Sequence, residues 1–319
     1  MRNFFQILPK GSSENHYYEN LLEEHHLKGH FYKNYPDLIP PKYNHSFSQC
    51  WKRQWLRNHL YTSELNKLDE KLSGENITVI LLKGSVLIHE YYTDFGSRTL
   101  SDIDVLINRA DTKKWKAFLE KNGYYEQSEC NWKANSFKYI HIKKGQGSEL
   151  VIETHTKLFY HEMENQWSGI SMEPKYKNFL KLRTDEMLIH LVGHLAFQHN
   201  FSKLFWFVDI KLFLERNNFD INWQELALKV KEKKLTRSFQ ITLWLLANYF
   251  KMHFPKDATR VFSIEKKFWW KYFITADDLW IGQKFNIKYY FLKHITKDSL
   301  LTAFYYDFLW VIHKLFRNK

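Results

Sequence analysis

The sequence predicts an α+β fold in which a small mixed β-sheet core is flanked by N-terminal helices and a large C-terminal helical region. Short β-branched and apolar runs cluster between about residues 77 and 154, whereas apolar residues elsewhere recur at helical intervals. The 319 residues include only 11 Gly and 6 Pro, which favours regular elements joined by short connections. We therefore divide the chain into residues 1–75, 76–160 and 161–319.

The N-terminal region, residues 1–75, is predicted to be mainly helical. Its clearest helix runs from Cys50 to Leu72, where Trp and Leu residues recur at mostly helical spacing. The run Ser73-Gly74-Glu75-Asn76 then supplies residues that end a helix. We expect this region to pack against the core.

The core, residues 76–160, alternates strand and helix signals. Strands are predicted at 77–82, 101–107, 137–142 and 150–154, with a turn at 145–147 that closes a hairpin. Helices are predicted at 86–92 and 111–122, and Asp111 is a candidate N-cap of the second. This order of elements describes a small sheet domain with helices packed on it.

From about Tyr160 the pattern is helical to the end of the chain. Thr184 is a candidate N-cap, because Asp185 and Glu186 behind it suit the positive end of a helix dipole. The stretch 300–316 is predicted to be a buried C-terminal helix, with an interfacial membrane helix as the alternative. No apolar run is long enough to span a membrane.

The chain is basic, with 47 Lys and Arg against 35 Asp and Glu, a net charge of +12. Residues 251–319 contribute 13 − 6 = +7 of this charge. Such a balance suits phosphate-rich partners, but a solvated Lys- and Asn-rich surface that reflects biased genome composition is the favoured explanation, because basic residues occur along the whole chain. Cys50 and Cys130 form no metal-ligand spacing, and the N-terminus lacks a secretory pattern, so we expect a cytoplasmic protein.

Asp102 and Asp104 are the first candidate metal ligands. They lie two apart in a predicted strand, so both side chains should leave the same face. Their neighbours are apolar, and two adjacent like charges there are costly unless a cation offsets them. A hard divalent ion with oxygen ligands, such as magnesium, would do so. The alternative is that the pair lies at an exposed strand end in contact with water.

Lys83-Gly84-Ser85 stands where a buried strand gives way to a helix. Glycine permits close approach of a phosphate, and the N–H groups at a helix start attract anions. Arg98 and Ser101 are further candidate phosphate donors. A plain turn at residues 83–85 and an ion pair for Arg98 are the alternatives.

Glu153 is the third candidate acid. In the strand 150–154 it shares a face with Val151 and His155. If this strand neighbours that of Asp102, the three carboxylates form a cluster able to hold two metal ions about 3.5–4 Å apart. The alternative is a solvent-facing Glu153 on an edge strand.

These residues resemble a known superfamily. The runs are Leu82-Lys83-Gly84-Ser85 and Phe95-Gly96-Ser97-Arg98-Thr99-Leu100-Ser101-Asp102-Ile103-Asp104-Val105-Leu106-Ile107, followed by Glu153-Thr154-His155 and a His-rich helix at 190–199. Together they are similar to polymerase β-type nucleotidyltransferases, and more narrowly to a bacterial branch of uncharacterised nucleotidyltransferases. The resemblance covers about residues 78–215.

The resemblance implies a magnesium-dependent enzyme that uses a nucleoside triphosphate such as ATP and transfers a nucleoside monophosphate, releasing pyrophosphate. Asp102, Asp104 and Glu153 would hold two Mg²⁺ ions, with Mn²⁺ as a possible substitute. Lys83, Gly84, Ser85, Arg98 and Ser101 would bind the nucleotide phosphates. The acceptor stays open between protein, a tRNA-like RNA and a small molecule. The alternative function is a non-catalytic nucleotide- or RNA-binding module on the same fold.

His190 and His194 lie four residues apart, on one helical face. Zinc hydrolases with this spacing have Glu directly after the first His, whereas this chain has Leu191. We therefore predict that His190, His194 and His155 are structural or face the acceptor, with a zinc site as the less favoured alternative.

Overall fold

The computed structural model describes residues 15–127, 138–144, 149–159, 166–265, 274–275, 278–279, 287–301, 303–305, 307–308 and 311. Within them, seven strands form one mixed sheet that is flanked by α-helices, as the sequence predicts. The predicted α+β fold is therefore confirmed.

The helices and strands are numbered here along the chain. The α-helices are α1 Asn15–Glu24, α2 Lys28–Asn34, α3 Asn44–Leu72, α4 Lys83–Glu90, α5 Thr112–Lys121, α6 Thr184–Gly193, α7 Leu204–Arg216, α8 Trp223–Glu232, α9 Thr236–Asn248, α10 Lys256–Phe262 and α11 Ile287–Ile295. The strands are β1 Val79–Leu81, β2 Ile103–Ile107, β3 Tyr125–Glu126, β4 Lys138–Lys144, β5 Glu149–His155, β6 Met172–Pro174 and β7 Phe179–Leu182.

The strands lie in the order β3-β4-β5-β2-β1-β7-β6. β2 is parallel to β5 on one side and antiparallel to β1 on the other, and all five of its residues are buried. The centre of the sheet is thus covered on both faces, which explains why β1 and β2 are almost wholly apolar in sequence.

The predicted elements of the core are present with small shifts of their ends. The helix predicted from Val86 begins at Lys83, and Asp111 precedes α5 without making a side-chain cap hydrogen bond. The N-cap of α6 is Arg183, one residue before the predicted Thr184. The hairpin of β4 and β5 forms, while its predicted turn at 145–147 lies outside the described residues.

The prediction that the chain is helical from Tyr160 onward is wrong, because β6 and β7 extend the sheet to Leu182. Both strands are too short to show a period of two in the sequence. β7 forms through long-range contacts instead, pairing in parallel with β1. The Asp69 carboxylate of α3 accepts hydrogen bonds from the backbone N–H groups of Asn178 and Phe179, which fixes the start of β7.

The prediction of a buried C-terminal helix is also wrong for its described residues. Leu301 is 83% exposed and Phe308 60% exposed, whereas Ala303 is buried. Asp307 forms an ion pair with Lys293 of α11 and contacts the ring of His294. The side of this segment that faces the protein therefore carries the small Ala303 and the charged Asp307. Among the described residues, no helix combines the length and apolar character needed to cross a membrane.

A buried ion pair joins the loop before β2 to α7. Arg98 donates from Nε and Nη2 to the two carboxylate oxygens of Asp209, each at 2.8 Å, and Tyr92 donates its hydroxyl to the same carboxylate at 2.7 Å. Arg98 is 6% and Asp209 1% exposed. Such a pair is stable only while both partners are present, because either charge alone would be buried without compensation.

Lys297 is a second buried cation, between α11 and the final helical segment. Its Nζ lies 4.9 Å from the ring centre of Phe197 and donates to the carbonyl of Lys293. Burial, reinforced by the positive charge of Lys293 and opposed by Asp307, lowers the pKa of Lys297 to about 7. The folded state therefore binds this proton more weakly than the unfolded chain does.

Replacement of Asp209 by Ala should lower the free energy of unfolding by about 3–5 kcal/mol, because it leaves Arg98 buried without its counter-charge. Urea unfolding followed by circular dichroism measures this change. The control is Asp257→Ala, which removes an exposed partner of Arg260 and should cost about 0–1 kcal/mol. Equal effects of the two substitutions would contradict the structural role of the buried pair.

The Lys297→Met variant should be more stable than the original protein, and the gain should be larger at pH 6 than at pH 9. Below pH 7 both folded and unfolded states hold the proton, so the full cost of the buried charge is present. Between about pH 7 and 10.5 only the unfolded state keeps it, and stability recovers by about 1.4 kcal/mol per pH unit. Unfolding curves at both pH values test this, with exposed Lys121→Met as the control; a gain independent of pH would contradict it.

Candidate active site

The candidate acids meet where β2 and β5 run side by side. In the parallel register of these strands, the Cα of Asp104 is paired with that of Glu153. Both residues are nearly buried, at 7% and 9% exposure. Because residues paired across neighbouring strands direct their side chains to the same face, the two carboxylates lie together. The predicted neighbourhood of the two strands is therefore present, and Glu153 is not on an edge strand.

Asp104 is the most heavily bonded of the acids. Its Oδ1 accepts a hydrogen bond from Lys83 Nζ at 2.9 Å and lies 3.0 Å from His155 Nε2. Burial opposes ionisation, but Lys83 and His155 outweigh it and hold the pKa of Asp104 well below its usual value. Asp104 is thus an ionised carboxylate in the interior.

Asp102 directly precedes β2, and its side chain lines the same cavity as Asp104 and Glu153. Burial, together with the negative charges of Asp104 and Glu153, raises the pKa of Asp102 to about 6 despite the opposing charge of Lys83. Ser101 Oγ lies 3.1 Å from Asp102 Oδ1. The site therefore concentrates more negative charge than its own residues neutralise, which is the condition that favours a bound cation.

The donor atoms that converge most closely belong to Asp104, Glu153 and His155, which bring one ligand atom each within 4.8 Å of one another. His155 Nε2 is 3.1 Å from Glu153 Oε1. Two carboxylates and an imidazole are a suitable set for a divalent metal ion, with Asp102 beside them as a further oxygen donor. The sequence indicated the three acids as ligands, but not His155.

The start of α4 departs from the predicted phosphate loop. A Cβ on Gly84 would lie 2.4 Å from Arg98 Nη1 and 2.6 Å from Leu100 Cδ1, so glycine here admits these side chains. Ser85 Oγ donates to the carbonyl of Leu82 at 2.8 Å and is absent from the cavity lining. Lys83 has a φ of +42°, a costly backbone conformation for a residue with a side chain.

Arg98 and Ser101 both line the cavity, in agreement with their predicted position. Arg98 is nevertheless committed to Asp209, and its Nη1 donates to the carbonyl of Thr99 at 3.0 Å. A guanidinium has five N–H donors, so the pairing with Asp209 leaves others directed elsewhere. Ser101 is exposed, and the hydroxyl of Tyr61 donates to its carbonyl at 2.6 Å.

A further part of the cavity lining, called here the aromatic wall, comes from residues 194–206. It consists of His194 and Gln198 from a π-helical turn, then His199, and Phe205 and Trp206 at the start of α7. The rings of His199 and Trp206 are stacked with centres 3.5 Å apart. The position of Trp206 near the start of a helix gives no sign in the sequence that it lines the same cavity as the acids.

His190 and His194 differ in their surroundings. Neither ring nitrogen of His190 has a hydrogen-bond partner within the described part of the chain, and burial, with Lys83 and His155 nearby, holds its pKa well below the usual value. His194 Nε2 lies 3.0 Å from His199 Nε2 in the cavity wall. Neither belongs to the converging metal donors, which fits the structural or acceptor-side role predicted for them.

Comparison with known proteins identifies the family. The model of a family described as uncharacterised nucleotidyltransferase matches residues 13–251. A crystal structure of an antigenic nucleotidyltransferase-like protein from Paracoccidioides brasiliensis is similar, with 15% identity and a TM-score of 0.40 over 63% of this chain and 95% of that one. No curated protein matches the sequence. Since the family model spans most of the chain, the protein belongs to the uncharacterised nucleotidyltransferase family.

Proposed function

We propose that this protein is a metal-dependent nucleotidyltransferase that moves a nucleoside monophosphate from a nucleoside triphosphate to an acceptor and releases pyrophosphate. The observation that carries the proposal is the buried pair of Asp104 and Glu153, in register on parallel strands, with Asp102 at the same cavity. Lys83 offsets only part of this buried negative charge, so a bound cation would be favoured here, and membership of the family supports the reaction class.

In the proposed reaction, an acceptor oxygen forms a bond to the α-phosphorus of the triphosphate. The bond from this phosphorus to the oxygen bridging to the β-phosphate breaks, and its electron pair leaves with pyrophosphate. Glu153 takes the proton of the acceptor, and Asp102 and Asp104 are the residues that would hold the metal ions beside the reacting phosphate. Two Mg²⁺ ions, or Mn²⁺ in their place, would neutralise the charge that develops on the phosphate oxygens.

The remaining cavity residues suit a triphosphate. Lys83 is a buried cation next to Asp104, and Asp104, Glu153 and Asp102 raise its pKa although burial opposes this, so it stays charged. Arg98 offers the N–H groups not used by Asp209, and Ser101 offers a hydroxyl at the exposed edge. Gly84 contributes by letting Arg98 approach, and Ser85 by fixing the start of α4 through its bond to Leu82.

The aromatic wall is suited to the nucleobase. Trp206 and Phe205 line the same cavity as the acids, and a flat ring is the surface on which a base of any kind stacks. The acceptor is unidentified; protein, tRNA-like RNA and small molecules are all consistent with the basic charge. We place the reaction in the cytoplasm. A nucleotide- or RNA-binding module without catalysis is the alternative that the following measurements separate.

Asp104→Asn should reduce transfer from labelled nucleoside triphosphates by at least about 10²–10³-fold, because it removes a charge that orients and stabilises the reacting groups. Incubation of the protein with each labelled triphosphate, Mg²⁺ and a cell extract reveals both activity and acceptor. Asp102→Asn, whose side chain does not pair with Lys83, should have a comparable effect.

Asp257→Asn serves as the control, because its side chain is exposed, forms an ion pair with Arg260 and lies outside the cavity. Its transfer activity should equal that of the original protein. Full activity of the Asp104→Asn variant would eliminate the catalytic proposal, and binding of triphosphate without transfer in the original protein would favour the non-catalytic alternative.

Trp206→Ala should weaken binding of a non-hydrolysable triphosphate by about 5- to 150-fold, since loss of one base–aromatic stack costs roughly 1–3 kcal/mol. Calorimetric titration measures the change in Kd. The control is Trp55→Ala on α3, which lies outside the cavity and is partly exposed. Unchanged affinity in the Trp206 variant would show that the base does not stack on this wall.

A further inference from the structure

We propose that His155 Nε2 is a direct ligand of the divalent metal ion, together with Asp104 and Glu153, and that this nitrogen makes the site prefer Mn²⁺ to Mg²⁺. The inference rests on the proposed function only in assuming that a divalent ion binds beside these acids. It changes the ligand set from three carboxylates to a mixed set of oxygen and nitrogen.

The distances between the donor atoms fit a shared ion. His155 Nε2 lies 3.0 Å from Asp104 Oδ1 and 3.1 Å from Glu153 Oε1. Adjacent ligands of an octahedral ion at about 2.1–2.2 Å are separated by about 3.0 Å. Metal ligation would therefore replace these contacts with little movement of the side chains.

The sheet holds His155 rigidly in this position. Glu153 and His155 leave the same face of β5, which is paired with β2 on one side and β4 on the other. Thr154 between them points to the opposite face, where it accepts a hydrogen bond from Trp115 Nε1 at 2.9 Å. His155 is only 2% exposed, so bulk water does not compete for its ring.

The chemistry of the donors sets the metal preference. Mg²⁺ is a hard ion that is bound almost entirely by oxygen. Mn²⁺ also favours oxygen but, as a transition-metal ion, binds an imidazole nitrogen more tightly than Mg²⁺ does. Lys83 Nζ donates to the same Asp104 Oδ1 at 2.9 Å, and an ionised carboxylate oxygen has a further lone pair with which it can bind an ion. In the competing arrangement, His155 Nε2 keeps its proton and only donates hydrogen bonds to the two acids. The measurement below distinguishes this arrangement from metal ligation.

Pulsed electron paramagnetic resonance of Mn²⁺ added to the metal-free full-length protein distinguishes the two. A directly bonded imidazole gives ¹⁴N modulation of the Mn²⁺ signal, which we expect in the original protein and not in His155→Gln. His194→Gln is the matched control, since His194 lines the same cavity outside the converging donors and its loss should leave the modulation unchanged. Absence of nitrogen modulation in the original protein overturns the proposal, whatever the stability of the variants.

His155→Asp supplies a second measurement, because it keeps three ligands and makes all of them oxygen. The ratio of Mn²⁺ to Mg²⁺ affinity, from calorimetric titration, should fall by about tenfold in this variant. An unchanged ratio, or nitrogen modulation that survives in His155→Gln, overturns the assignment.

The transfer assay is independent of both measurements. Nitrogen-coupled Mn²⁺ without transfer would support this site and remove the proposed function. Transfer without nitrogen coupling would preserve the function and overturn the ligand assignment.

Discussion

The parallel pairing of β2 with β5 is the constraint on which the site depends. It brings Asp104 and Glu153, which are 49 residues apart in the chain, into register in the buried part of the sheet. Carboxylates so placed repel each other and cannot be hydrated fully. The positive charge of Lys83 and the contact of the His155 ring with Glu153 offset part of this cost. The raised pKa of Asp102 shows that part of the repulsion remains.

The same logic extends outward from the acids. Lys83 begins α4 in a costly backbone conformation, and the glycine after it makes room for Arg98. Arg98 in turn is held by Asp209, so one chain of contacts runs from the acids through the cavity edge to α7. The two buried ion pairs of this region, Lys83–Asp104 and Arg98–Asp209, each connect parts of the chain that are separated in sequence.

Much of this arrangement could be predicted from the sequence because its signals are local. The apolar runs around Asp102 and Asp104 predict their strand, and the spacing of Glu153 and His155 predicts a shared face. The strand β7 and the Arg98–Asp209 pair depend on contacts across 100 residues or more, so no short window contains them. Gly84 was misinterpreted for a related reason. A glycine indicates that another group lies close to the backbone, but the sequence does not tell whether this group is a phosphate or the side chain of Arg98.

The ion pair between Arg98 and Asp209 has a consequence for how the chain divides. The acids lie within residues 76–160, which suggests a portable catalytic unit, yet the sheet continues to Leu182 and the charge beside the cavity is neutralised from α7. If the acidic segment were excised or grafted into another protein, the guanidinium of Arg98 would be buried there without Asp209. We therefore expect recombination within this family to keep the core and the chain up to the end of α7 together.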